Sequence, residues 1–140
     1  MYSPLLVKPM REELTEVGFT ELLTASAVDA AFADTTGTML LAVNGVKGAA
    51  AMARRALRNA LAGDGARPAR LVTVFAEQDP EPTAKARSYF ADIPPSEPSL
   101  ALFVDGELVW FQPEHRIQGR EISQIADDIT AAFKEHCPAG

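Results

Sequence analysis

Few residues of this chain carry side chains suited to covalent or metal chemistry. Its 140 residues include one cysteine, Cys137, and two histidines, His115 and His136. Thiol–disulfide exchange needs one thiolate that attacks sulfur and a second thiol that releases the mixed disulfide. A lone cysteine cannot form such a pair, and the spacing of the two histidines is not that of a zinc site. We therefore expect neither a metal nor a cofactor.

The stretch around Lys47 joins a strand to a helix. An apolar run at residues 39–43 predicts a buried strand, Asn44 and Gly45 end it, and an alanine-rich helix begins near Lys47. The unpaired amides at a helix N-terminus stabilise a thiolate, so such a junction suits a reactive cysteine. Here it holds Lys47, Gly48 and Ala49, without sulfur. A lysine nucleophile would need a carbonyl-binding pocket around it, and we favour a solvated surface lysine.

The remaining candidates favour structural interpretations. Cys137 lies near the end of a predicted helix, where the negative end of the dipole raises a thiol pKa, so we expect an inert thiol. Glu77, Asp79 and Glu97 fall in predicted loops, where carboxylates are usually solvated. His115 is expected to be a polar residue in the turn before the last helix.

Hydrophobic periodicity and turn residues predict five helices and four strands. In the helix after Lys47, we expect Arg54, Arg55 and Arg58 to lie off the apolar stripe. The helices are expected at residues of about 9–17, 25–33, 47–62, 80–90 and 119–136. The strands are expected at residues of about 39–43, 71–76, 99–104 and 107–111.

The order of these elements predicts the fold class. Strand, helix and strand in succession require a right-handed crossover and two parallel strands. Asp105 and Gly106 predict a hairpin that adds an antiparallel pair. We expect one domain over residues 1–140, an α/β fold of thioredoxin-like order. It would have a central four-stranded mixed sheet, helices on both faces and an N-terminal helical extension.

Composition narrows the partners and the compartment. The formal net charge is −6 and the pI is about 4.9, so no basic field attracts a nucleic acid. The first ten residues are too short and too interrupted for a signal peptide, and no apolar run reaches the length of a membrane span. With one cysteine, a cytoplasmic protein is the simplest expectation. Nothing in the sequence predicts the oligomeric state.

Several separate motifs resemble the bacilliredoxins, a family of small thioredoxin-like proteins. They follow one another in order over nearly the whole chain. The similar stretches are residues 10–22, 43–46, 72–79, 84–87, 94–99, 105–107, 115–120 and 135–137.

The resemblance implies thiol–disulfide chemistry on mixed disulfides between proteins and a low-molecular-weight thiol, or isomerisation of disulfides. The Cys-Gly-Cys motif of the family falls on Lys47, Gly48 and Ala49, so only the glycine is kept. The C-terminal cysteine of the family pattern is present as Cys137. Pro98 resembles the proline before the third core strand of thioredoxin-like folds, where the peptide bond is usually cis and lies beside the active site.

Two hypotheses of function follow. In the first, the site is degenerate and redox-inactive, and a groove between Lys47 and Pro98 binds a protein segment or a low-molecular-weight thiol. In the alternative, the chain is a thiol–disulfide oxidoreductase or isomerase that acts through Cys137 or through a thiol supplied by a partner.

Overall fold

The computed structural model describes residues 1–138. Within them it contains five α-helices and five strands. Short 3-10 turns cover Ser88–Phe90 and Glu114–Arg116. The helices are α1 (Pro4–Thr15), α2 (Ala25–Ala33), α3 (Gly48–Leu61), α4 (Pro80–Arg87) and α5 (Ile122–His136). The strands are β1 (Thr20–Glu21), β2 (Thr38–Asn44), β3 (Arg70–Phe75), β4 (Ser99–Val104) and β5 (Glu107–Gln112).

The strands form one mixed sheet in the order β1-β3-β2-β4-β5. The central strand β2 runs parallel to β3 and antiparallel to β4, and all seven of its residues are buried. A strand that is buried on both faces has a nearly continuous apolar sequence, so β2 is easily identified from the sequence. The predicted α/β class and the mixed sheet are confirmed.

The sheet has five strands where the sequence predicts four. The additional strand, β1, pairs in parallel with β3, with Thr20 opposite Val72 and Glu21 opposite Thr73. Two polar residues have no periodicity of their own, so only their partner across the sheet makes them a strand.

Helices cover both faces of the sheet, as expected. On one face, Leu40 and Ala42 of β2 pack in a core cluster with residues of α3 and α5. On the other face, Leu41 and Val43 pack in a second cluster that includes Val28 of α2. Side chains alternate along a strand, so neighbouring residues of β2 belong to different clusters. Among residues 1–138, no helix has the length and apolar character needed to cross a membrane.

Helix α1 begins earlier than the sequence interpretation placed it. The predicted start at Pro9 is wrong, because Ser3 caps the helix and Pro4 occupies its first turn. The Ser3 hydroxyl accepts a hydrogen bond from the Leu5 amide at 3.2 Å. Pro9 lies inside the helix, which buries Val7 and Leu14 against the core. A capped start and two buried side chains offset the hydrogen bond that Pro9 cannot donate.

Candidate functional site

The loop between β2 and α3 places the three motif residues at the start of a helix. Lys47 is the N-cap residue of α3, and its side chain makes no capping hydrogen bond. Gly48 is exposed, and a Cβ atom placed on it would meet nothing within 4 Å. Ala49 is half-buried. The first turn of α3 therefore has open space above Gly48.

The side chain of Lys47 reaches across to the segment after β5. Its Nζ atom lies 3.6 Å from Oε2 of Glu114, and half of the lysine side chain remains exposed. Such a pair in water contributes little to stability, so the amine can exchange partners readily. Glu114 is a neighbour of Lys47 that sequence reasoning missed, because the two residues are far apart in the chain.

A buried arginine holds the end of β2 in place. Nη1 of Arg54 donates to Oδ1 of Asn44 at 2.9 Å and to the carbonyl oxygen of Gly45 at 2.8 Å. The same Asn44 oxygen accepts the Gly45 amide at 2.9 Å. Nε of Arg54 donates to Oε1 of Glu13 in α1 at 3.1 Å. The guanidinium thus connects α1, the end of β2 and α3.

The burial of Arg54 corrects the sequence interpretation, which placed it off the apolar stripe of α3. Only 4% of this residue is exposed. An arginine is almost never buried without partners, and here the acceptors come from other elements. Helical periodicity cannot reveal acceptors on another element.

The register of β4 against β2 places Pro98 beside the loop that carries Lys47. Val43 pairs with Ser99 in the antiparallel ladder. Pro98, the residue before Ser99, therefore lies opposite Asn44, the residue after Val43. The Glu97–Pro98 peptide bond is cis, and Pro98 is buried. A Cβ atom on Gly45 would lie 3.4 Å from Oε2 of Glu97. The loop before β4 and the loop after β2 are therefore in contact.

A groove lies along the loop before β4. Its lining is mostly apolar, and its volume is about 290 Å³. Neither Lys47 nor Pro98 lines this groove, but Pro113 and His115 do and flank Glu114, the partner of Lys47. We call this feature the candidate groove; its lining residues are Ile93, Pro94, Pro95, Ser96, Phe111, Pro113 and His115.

The carboxylates expected to be solvated are not. Glu77 and Glu97 are half-buried, and each has one carboxylate oxygen that is fully covered. Burial raises the pKa of Glu97, and the neighbouring carboxyl group of Glu77 raises it further. Asp79 binds the guanidinium of Arg11 at 2.9 Å instead of capping α4 with its side chain.

Cys137 is remote from these residues. It follows α5 as the C-cap residue and is half-buried. Burial raises the pKa of its thiol, and a hydrogen bond with Thr38 opposes that shift. Thr38 begins β2 and Asn44 ends it, and a strand of seven residues is about 20 Å long. Cys137 and Lys47 therefore lie at opposite ends of the sheet.

The histidines add no metal centre. His115 is exposed in the 3-10 turn after β5, and His136 lies at the end of α5, 3.6 Å from Oε2 of Glu135. Across residues 1–138, no three His, Cys, Asp or Glu side chains are grouped so that they could hold a metal ion.

Comparison with known proteins identifies the family. A family model described as disulphide isomerase matches residues 2–137. A bacilliredoxin of Bacillus licheniformis is 47% identical over 137 residues, which cover 97% of this chain and 95% of that protein. A bacilliredoxin of Shouchella clausii is 48% identical and covers 97% of this chain and 94% of its own length. The chain belongs to the bacilliredoxin family.

Solved structures support the thioredoxin-like fold. A thioredoxin variant of Halobacterium salinarum aligns with a TM-score of 0.56 and 15% identity, over 87% of this chain and 96% of that structure. A thioredoxin of Schistosoma mansoni aligns with a TM-score of 0.55 and 17% identity, over 83% of this chain and 98% of its own. This bacilliredoxin-family chain therefore has the thioredoxin-like fold, and its family associates it with a redox-related function.

Proposed function

We propose that this protein is a bacilliredoxin-family member without dithiol chemistry, which binds a protein segment or a low-molecular-weight thiol in the candidate groove. The observation that carries the proposal is the N-terminus of α3, where Lys47, Gly48 and Ala49 stand without sulfur. Thiol exchange by a dithiol needs both a nucleophile and a resolving thiol, and neither is present there.

The surrounding scaffold supports a retained binding role. The space over Gly48 is open, and the candidate groove lies along the loop that leads to Pro98. The groove has a mostly apolar lining, and its volume of about 290 Å³ is close to the lower end of the range for small-ligand sites. The amine of Lys47, which pairs with Glu114 beside the groove, adds a positive charge that suits a carboxylate on the ligand.

The alternative, an oxidoreductase that acts through Cys137, has less support. The thiol lies at the opposite end of β2 from Lys47, and burial raises its pKa. A raised pKa leaves less thiolate at neutral pH, so attack on a disulfide is slow. We also propose a cytoplasmic location, because a protein with a single cysteine uses no internal disulfide.

Restoring the motif tests the first half of the proposal. We expect the natural protein to be inactive on a mixed disulfide between a protein and glutathione, and Lys47→Cys with Ala49→Cys to gain reductase activity. The helix amides should lower the first thiol's pKa below about 8.5, and the second thiol should resolve the mixed disulfide. Both positions are at least partly exposed, so folding should lose under about 1 kcal/mol.

A control variant separates the two hypotheses. If the natural protein is active and Cys137→Ser abolishes that activity, the alternative is established instead.

The binding half of the proposal is tested by NMR. A peptide that carries a glutathione mixed disulfide is titrated into the labelled natural protein, and chemical-shift changes are followed. Shifts confined to residues 45–49, 93–98 and 111–115 are expected. The absence of shifts there would refute binding in the candidate groove.

A further inference from the structure

Two glutamates from different segments meet beside Gly45. Glu77 follows β3, and Glu97 precedes Pro98. A Cβ atom on Gly45 would lie 3.0 and 3.4 Å from the two carboxylate oxygens of Glu77, and 3.4 Å from Oε2 of Glu97. The two carboxyl groups therefore occupy the space that any other side chain at position 45 would fill.

Not every carboxylate oxygen of Glu77 and Glu97 has a hydrogen-bond donor. The amide of Val46 donates to Oε2 of Glu77 at 3.3 Å. Oε1 of Glu77 and Oε2 of Glu97 are fully covered, and neither finds a donor among residues 1–138. A buried acceptor without a donor is costly, and two ionised carboxylates in contact repel each other. One proton on either group removes both problems, because the protonated carboxyl becomes the donor to the other.

The charges around the pair do not replace that proton. Lys47 and Arg87 act against the rise in the pKa of Glu97, but less than burial and Glu77 act for it. In the structure, the cations of the surrounding elements bind other acceptors. Lys47 pairs with Glu114 after β5, and Arg87 of α4 donates to the Ser96 carbonyl. Arg54 of α3 donates to Asn44 and to the Gly45 carbonyl. Arg11 of α1 binds Asp79.

We propose that Glu77 and Glu97 hold one proton between them, and that this shared proton clamps the loop after β2 to the loop before β4. Loss of the proton leaves two negative charges in contact, and the loops separate to relieve the repulsion. The loop after β2 carries Lys47 and the loop before β4 lines the candidate groove, so the motif residues and this wall of the groove are held together at low pH and separate at high pH.

Amide exchange of the free protein tests the clamp without any ligand, so its outcome is independent of the proposed function. Protection of Val46 and Lys47 is measured by NMR between about pH 5 and pH 9 and corrected for the intrinsic pH dependence of exchange. Between the pKa of Glu97 in the open form and its raised value in the closed form, the equilibrium constant for loop opening should increase about tenfold per pH unit. Above the raised pKa, this equilibrium constant should no longer change with pH.

Glu97→Gln supplies a permanent amide donor to Glu77 and should keep both amides protected across this range. Glu107→Gln, at an exposed position of β5, is the matched control and should behave as the natural protein does. An identical pH dependence in the natural protein and in Glu97→Gln would overturn the proposal.

If Glu97→Gln does not fold, a second measurement on the natural protein tests the proposal: the pH titration of the side-chain carboxyl carbon shifts of Glu77 and Glu97. A raised, coupled titration of both groups supports the clamp, and two independent ordinary titrations refute it.

Discussion

At the scale of single residues, the position of a side chain in the fold decides its role more than its type does. Arg54 and Arg55 are neighbours in α3, yet Arg54 is buried and Arg55 is exposed. The buried guanidinium satisfies Asn44 and the Gly45 carbonyl, and it binds Glu13. The loop that carries the motif residues therefore depends on a residue one to two turns into the helix.

Replacing Arg54 should test this dependence. Arg54→Met leaves the Gly45 carbonyl and the Asn44 amide oxygen without one donor each, so we expect a loss of about 2–4 kcal/mol in the free energy of unfolding. Arg55→Met at the exposed neighbouring position should change it by less than about 0.5 kcal/mol. Urea denaturation of both variants gives the comparison. Equal values for the two would mean that the buried hydrogen bonds contribute nothing.

At the scale of elements, the β4–β5 hairpin is attached to the loop before β2. Asp105 and Gly106 both have positive φ, as the tightest hairpin turns require. The Asp105 amide donates to the Gly37 carbonyl at 2.8 Å, and the Gly37 amide donates to Oδ1 of Asp105 at 2.8 Å. The turn thus fixes β5 on one side and the entry to the central strand on the other.

Two glycine substitutions separate backbone strain from contact at this junction. Gly106→Ala would place Cβ 2.9 Å from the side chain of Thr35, whereas Gly37→Ala would meet nothing within 4 Å. Both residues have positive φ, 85° and 75°, so each substitution should cost about 1–2 kcal/mol in strain. We expect thermal unfolding to show an additional loss of about 1 kcal/mol for Gly106→Ala. Equal losses would show that Thr35 moves aside freely.

At the scale of the whole molecule, a hydrogen-bonded carboxylate connects the last helix to the sheet. Asp128 of α5 accepts hydrogen bonds from Arg120 and, at 2.9 Å, from Gln112 at the end of β5. The hydrogen bond from Arg120 is the main cause of the lowered pKa of Asp128, and Gln112 adds to it, although partial burial opposes the shift. A carboxyl group whose pKa is lowered on folding stabilises the protein above its unfolded pKa. That stability is lost as the pH falls through the lowered value.

Asp128→Asn should therefore lower stability at neutral pH and have little effect in acid. We expect a loss of about 1–2 kcal/mol at pH 7, since hydrogen bonds to an ionised group are lost. The difference should shrink below a pH of about 3.9, the ordinary value for an aspartate. The measurement is chemical denaturation at a series of pH values, with the exposed Asp127→Asn as the control. A difference that is constant with pH would mean that the ionised form of Asp128 contributes nothing.

The sequence by itself determined the order of the main elements and the family. A continuous apolar run marks β2, a two-residue turn marks the β4–β5 hairpin, and helical spacing marks α3 and α5, because each of these signals is local. It also determined that no cysteine stands at residues 47–49. The order of these elements predicted the thioredoxin-like fold, and motifs in the same order as in the bacilliredoxins then indicated the family.

The tertiary structure alone decided which distant residues meet. It made a strand of Thr20 and Glu21 and buried Arg54 against Asn44. It also brought Glu77 and Glu97 together beside Gly45, although they are 20 positions apart in the chain. Each of these contacts joins separate elements, and a polar side chain buried by such a contact resembles a solvated one in the sequence. The separation of Cys137 from Lys47 likewise follows only from the length and direction of β2.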